Sequence, residues 1–306
     1  EDKLADYLNG ISEEEKQQMV QRTKDLEAYQ ESEEDPEAAK CIPMLKREDI
    51  RKEADKFYNE ELDVDGSLFL YHDVPTNGIG YLDLMFDLKS LSPDKVLYLG
   101  LLKSVLEINA ETGGIVCGVE VFDRADSVDE YRAFFGVKGK VMYPKTDVMF
   151  RMIREILNTS DVTDTRRLHE IISRVKSRAQ SSLVSAGHST AVLRAASYGS
   201  PMAAFQDAMA GIAYYQFIEK LDKEFEERKD EIIENLKSLM TEILRPENLS
   251  VSYTGERESL ETMQKQVREL KKTLHQEAVE TSPAPMICEK KNEGFMTSGQ
   301  VQYAAQ

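Results

Sequence analysis

The chain is 306 residues long, enough for one large domain or two ordinary ones with a core that needs no disulfide or metal staple. Its 39 Lys and Arg against 56 Asp and Glu leave a net charge of −17, which argues against nucleic acid and against electrostatic attachment to a membrane as partners. Three cysteines, Cys41, Cys117 and Cys288, lie far apart with no C-x-x-C spacing, so the chain reads as a protein of a reducing compartment, cytoplasm or organelle matrix, and not as a secreted one.

No apolar run approaches the roughly 20 residues of a membrane-spanning helix, and the pattern is already helical at Glu1, as in a piece of a longer polypeptide. Residues 1–60 are highly charged, with helical spacing at Leu4, Tyr7, Leu8 and Ile11 and again at Met19, Val20, Thr23 and Leu26. Ser12 ahead of Glu13, Glu14 and Glu15 is a capping box. The acidic stretch ESEEDPE (31–37) interrupts the helix, which resumes near Lys46 to Asn59. The expectation for residues 1–60 is therefore a helical hairpin acting as hinge or linker.

Strand signals begin at about residue 66. SLFLYHDV and GIGYLDLMFDL, the latter following an Asn77-Gly78 turn pair, read as neighbouring antiparallel strands, with Leu82, Leu84, Phe86 and Leu88 on one face. Ser92-Pro93 starts a buried helix over VLYLGLLKSVL. Two more strands carry Ile115, Cys117, Val119 and Val121, then Phe135, Val137, Val141 and Tyr143. Helical stripes follow at Met149, Ile153, Ile156 and Leu157 and at Leu168, Ile171, Ile172, Val175 and Ala179. After Gly199-Ser200-Pro201 one very long helix is expected to run toward Leu244, with Gly211 inside it allowing another backbone to approach. Strand LSVSYTG (249–255) and a charged helix from about Glu258 to His275 close an α+β domain over 61–280, a mixed or antiparallel sheet with helices on one face. Residues 281–291 read as a linker.

RLHEIIS (167–173) opens like the zinc motif H-E-x-x-H, but Ser173 stands where the second histidine should be, and Ile172-Ser173 rules out the inverted form H-x-x-E-H. Neighbouring residues on a helix do not face one metal, so His169 and Glu170 read as helix-surface residues. His72, His188 and His275 are isolated, with no second ligand at helical or hairpin spacing. Thr112-Gly113-Gly114 leads into a strand and reads as a turn, not a phosphate cradle. Ser182, Ser185 and Ser189 lack a G-x-S-x-G elbow and read as packing spacers. No catalytic, cofactor-binding or metal-binding residue is assigned.

TNGIGYLDLMFDL, ETGGI, FFGVKGKVMY, the block from Val175 to Tyr215 and the closing NEGFMTSGQVQYAA, together with IPMLKREDI (42–50), resemble the presequence-protease branch of the pitrilysin and insulinase-like zinc metallopeptidases, in order along nearly the whole chain. The resemblance implies hinge (1–60), a third and non-catalytic domain (61–280), and linker plus first strand of a fourth domain (281–306). It implies a parent zinc endopeptidase that closes a chamber around unfolded peptides, with zinc bound by H-x-x-E-H outside this chain and the remaining domains of the same polypeptide as partners. One departure is that the family has a longer segment between Leu106 and Asn109, where these parts abut here. The alternative is a structural or binding module of a relative that has lost its zinc motif, which the sequence upstream of Glu1 would distinguish.

Overall fold

A computed structural model describes residues 10–32, 40–53, 58–109, 114–124, 126–281, 283–297 and 301–305. Two units are formed, residues 1–57 and 58–306.

In the first unit, helix α1 (Glu13–Glu31) begins at the expected capping box: the Ser12 amide donates to Glu15 at 2.8 Å and the Glu15 amide to the Ser12 hydroxyl at 3.2 Å. No residue of α1 is buried. Leu4, Tyr7 and Leu8, and residues 33–37 of the acidic loop, lie outside the described residues. Of the second helix expected near Lys46 to Asn59, the described residues hold a single 3-10 turn, Arg47–Asp49, and residues 54–57 lie outside the described residues. Asp49 takes the Lys46 amide at 2.8 Å, and Met44, Leu45 and Ile50 are exposed, so no buried stripe sustains a helix whose nucleation is costly.

The second unit is built on six strands. β1 (Glu60–Val64) and β2 (Ser67–Asp73) form a hairpin whose turn residues Asp65 and Gly66 both have positive φ, 53° and 82°, as a two-residue turn between twisted strands requires. The first of these strands begins at Glu60. There follow β3 (Ile79–Asp87), helix α2 (Pro93–Asn109), β4 (Ile115–Arg124), β5 (Ser127–Met142), α3 (Thr146–Thr159), α4 (Thr165–Ser185) and α5 (Gly187–Ala196). Then come α6 (Pro201–Ala210), α7 (Ile212–Lys223), α8 (Phe225–Ile243), β6 (Leu249–Gly255) and α9 (Arg257–Lys271). The strand order is β1-β2-β6-β3-β5-β4, antiparallel except for β2 with β6, which makes the sheet mixed and the fold α+β.

β2 and β3 are thus not neighbours as the sequence suggested: β6, nearly two hundred residues on, lies between them. The Asn77-Gly78 turn, φ 54° and 78°, instead leads into β3 and serves as a carboxylate cradle. Glu256, just past β6, accepts the amides of Thr76 (2.9 Å), Asn77 (3.0 Å) and Gly78 (3.3 Å) and the hydroxyl of Tyr143. Hydrogen bonds from the Tyr143 hydroxyl and then from the Thr76 and Gly78 amides pull the carboxyl down to about 2.

One sheet face carries the core. Phe69, Leu82, Leu84, Phe86, Val137 and Val251 are fully buried there, with Leu99, Phe150, Ile153, Leu236 and Val267 of the helices in the same cluster. The long helix expected from Pro201 is three helices, broken at Gly211 and Glu224. At Gly211 the break is made by Asp207, whose carboxylate folds over it to accept the amide of Ile212 at 2.9 Å and so caps α7. The approach that Gly211 allows is therefore to its own helix: a Cβ there would sit 2.2 Å from Asp207 Oδ1 and 2.9 Å from Asp207 Cα.

Candidate functional site

RLHEIIS lies in the first two turns of α4, which starts where Asp164 accepts the Arg167 amide at 3.0 Å. Leu168, Ile171 and Ile172 are buried and Glu170 pairs with Arg166 on the outer side at 3.3 Å. His169 stacks on Phe225 of α8, ring centroids 4.3 Å apart and nearly parallel, with Nε2 3.5 Å from Asp222. Ser173 donates to the same carboxylate at 2.6 Å and Lys176 pairs with it. Burial works against the Asp222 charge, but the hydrogen bonds from Lys176 and Ser173 outweigh it and hold the carboxyl below the usual range. His169 and Ser173 thus both face the Asp222 carboxylate.

The other histidines stand apart. His72 meets Ser252 Oγ at 3.3 Å, the His188 ring is 6.0 Å from that of Tyr303, and the His275 amide donates to the Leu244 carbonyl at 3.0 Å. Among the described residues no three of the His, Cys, Asp and Glu side chains are grouped to hold a metal ion. Zinc therefore does not fit the residues of this chain that are described. Ser182, Ser185 and Ser189 are exposed, so they are not the packing spacers that the sequence suggested. Of the Thr112-Gly113-Gly114 turn only Gly114 is described, as a turn residue before β4.

The larger feature is the second face of the sheet, which the alternation within each strand turns away from the core. On β3, Leu82 and Leu84 point inward, so Tyr81 and Asp83 point outward; Val116 and Phe122 on β4 do the same and are 57% and 50% exposed. Across this open face Lys138 of β5 lies between Glu120 of β4, with which it pairs, and Asp83 of β3 at 3.8 Å. Burial pushes the Asp83 carboxyl up, with Lys138 opposing it. Along β6 the outward row is Ser250, Ser252 and Thr254, small and polar. This gives a surface of mixed polarity, exposed at Tyr81, Val116, Phe122 and Lys138 and buried at Asp87, Phe134 and Gly136, whose backbone edge at β4 has no strand beyond it among the described residues. Only the alternation in TNGIGYLDLMFDL points to this face in the sequence, and there it speaks for the core alone.

The fold is thus a helix-backed α+β sheet with one face left largely uncovered, and no metal-ligand group occurs among its described residues. Residues 1–221 match the family model that describes the associated domain of the M16 peptidases, subfamily C, and the chain belongs to that family. Protein HypA of Clostridium perfringens (strain 13 / Type A) is 30% identical over 99% of this chain and 32% of its own length. Presequence protease 1, chloroplastic/mitochondrial, of Arabidopsis thaliana is 28% identical over 84% of this chain and 25% of its own. The chain thus spans a third or less of the length of these relatives. Among solved structures, a peptidase M16 inactive domain from Pseudomonas fluorescens shares 12% identity, with a TM-score of 0.46, over 74% of this chain and 54% of that one.

Proposed function

We propose that this chain is the hinge and a non-catalytic wall of a longer zinc-dependent endopeptidase that degrades unfolded peptides inside a closing chamber. In this reading residues 1–60 are the hinge, 61–280 the wall and 281–306 the passage into a following domain. The zinc is held by residues outside this chain, and the protein works in the cytoplasm or an organelle matrix. The observation that carries the proposal is the open sheet face: helices cover one side only, and the other presents Tyr81, Asp83, Lys138 and Glu120 to whatever lies against it. The names of the presequence-protease relatives support peptides as that occupant. Confinement accounts for selectivity, because a chain that can bend enters a closed space and a folded protein does not.

The test places a photo-crosslinking benzoylphenylalanine at Tyr81 on the open face, and separately at the exposed Glu226 on the helical side, in the full-length polypeptide. An unfolded peptide is expected to be captured at position 81 and not at 226. Equal capture at both positions, or none at 81 while the peptide is being cleaved, would overturn the wall assignment.

A further inference from the structure

Residues 283–297 and 301–305 carry no helix or strand, and among the described residues 283–296 make no backbone–backbone hydrogen bond. Side chains alone attach this stretch, because water satisfies its peptide groups as well off the domain as on it. Met286 packs against the core cluster, and the Tyr303 ring lies 2.6 Å from where a Cβ on Gly187 would stand. Between these two, Glu293 enters a cluster on α5.

That cluster is oriented from the core side. Arg194 is 15% exposed, and its Nη1 donates at 2.6 Å to Asp207, a buried carboxylate that also accepts the Ile212 amide. The guanidinium is thereby turned so that Nε and Nη2 form a planar fork facing away from Asp207. Glu293 fills the fork, accepting from Nε at 2.8 Å and from Nη2 at 3.1 Å, and the Tyr198 hydroxyl donates to it at 2.6 Å. Hydrogen bonds from Tyr198 and then from Arg194 outweigh burial and hold the Glu293 carboxyl below its usual range. The Tyr198 ring lies 5.5 Å from the guanidinium, and the Phe295 ring, two residues beyond Glu293, lies 6.0 Å from it. One fixed cation thus meets both a carboxylate and an aromatic ring of an extended chain. Nothing in that recognition uses the covalent link to the domain, which serves only to keep Glu293 concentrated near Arg194.

We propose that the Arg194–Tyr198 clasp is a docking site for an extended peptide with a carboxylate two residues before an aromatic ring, and that residues 293–295 occupy it as an internal competitor. The site is built on α5 and α6 and does not rest on the wall reading of the open sheet face.

The probe is the peptide EKKNEGFMT, the sequence of residues 289–297, amidated and carrying an uncharged dye at its start, with fluorescence anisotropy as the readout. The chain is used entire, unsubstituted and as the double variant Glu293→Gln, Phe295→Ala, which frees the clasp without altering Arg194, Tyr198 or Asp207. The double variant is expected to bind the probe saturably, about tenfold or more tighter than the unsubstituted chain, whose own segment competes. Replacing the probe's second glutamate by glutamine, or its phenylalanine by alanine, is expected to weaken binding by about tenfold. The glutamine comparison is sharp because the chain carries a net charge of −17. The glutamine probe has lost a negative charge, so nonspecific attraction favours it and only the clasp favours glutamate. Should the double variant melt early, Glu293→Gln alone carries the same test. Equal binding of the glutamate and glutamine probes, or no saturable binding to the folded variant, overturns the docking site. Equal affinity for the variant and the unsubstituted chain overturns it too, since residues 293–295 would then not be in the way.

Discussion

The carboxylate of Glu256 accepts from three successive backbone amides and from the hydroxyls of Thr76 and Tyr143, joining the end of β6 to the turn before β3 and to the end of β5. Its folded pKa of about 2 lies below the ordinary 4.5, so its contribution is complete above pH 4.5 and is lost as the pH falls toward about 2. Glu256→Gln is expected to lower the thermal midpoint at neutral pH, with the gap to the wild type closing across that acid window. Melts followed by circular dichroism at stepped pH measure it, and a gap independent of pH would mean the charge is not what grips the turn. Lys271 is the complementary case, a buried ammonium that donates to the Val64 carbonyl at 3.1 Å, the Asp65 carbonyl at 2.6 Å and the Ser67 hydroxyl at 2.7 Å. Lys271→Met keeps the stem but leaves those acceptors without their donor, and is expected to cost about 1–3 kcal/mol in urea denaturation. At this scale the sequence was informative about what is missing more than about what is joined. Ser173 removes the zinc motif on sight, but nothing local shows that it donates to Asp222, 49 residues on.

Individual elements were legible where a period of two or 3.6 repeated against a single buried face. Leu82, Leu84 and Phe86 of β3 and Ile153, Ile156 and Leu157 of α3 are buried where their spacing put them. Periodicity failed where it had nothing to say about interruptions. The apolar stripe continues from α6 through α8, and at the first break it is the carboxylate of Asp207, reaching across Gly211 to the Ile212 amide, that stops the helix. The second carboxylate oxygen of Asp207 accepts from Arg194 at 2.6 Å, so this break also fixes α5. Gly211→Ala tests the assignment because two effects oppose each other. Alanine favours helix by about 1 kcal/mol, but its Cβ overlaps both the capping oxygen and the Asp207 backbone, and displacing a buried hydrogen-bonded carboxylate costs about 1–3 kcal/mol. The clash with backbone decides the sign, and a lower thermal midpoint is the expected outcome. A higher midpoint would show that α6 and α7 can fuse into the continuous helix that the pattern alone suggests.

At the scale of the whole molecule the sheet was the least legible feature, because its order is set by pairings that no window of sequence contains. β6 closes the sheet between β2 and β3 only after every helix from α2 to α8 has been made. The closing segment follows the same rule. The resemblance implies the first strand of a following domain in NEGFMTSGQVQYAA, and the residues described there, 292–297 and 301–305, lie outside the six-stranded sheet. The segment is held instead by side chains. Glu293 accepts from the Arg194 guanidinium at 2.7 Å and from the Tyr198 hydroxyl at 2.6 Å, the same guanidinium lies 6.0 Å from the Phe295 ring, and the Tyr303 ring covers Gly187. Arg194 therefore bridges the fixed core carboxylate of Asp207 and the incoming carboxylate of Glu293. The two halves of this bridge differ in consequence, because Asp207 is buried while Glu293 is half-buried. Glu293→Gln leaves the Arg194–Asp207 pair in place, so the thermal midpoint of the domain should scarcely move, while cleavage within residues 283–297 by a dilute protease and amide exchange there should both quicken. If both rates stay at wild-type levels, the ring contacts of Phe295 and Tyr303 hold the segment by themselves, and the Arg194 bridge serves only the junction of α5 with α6 and α7.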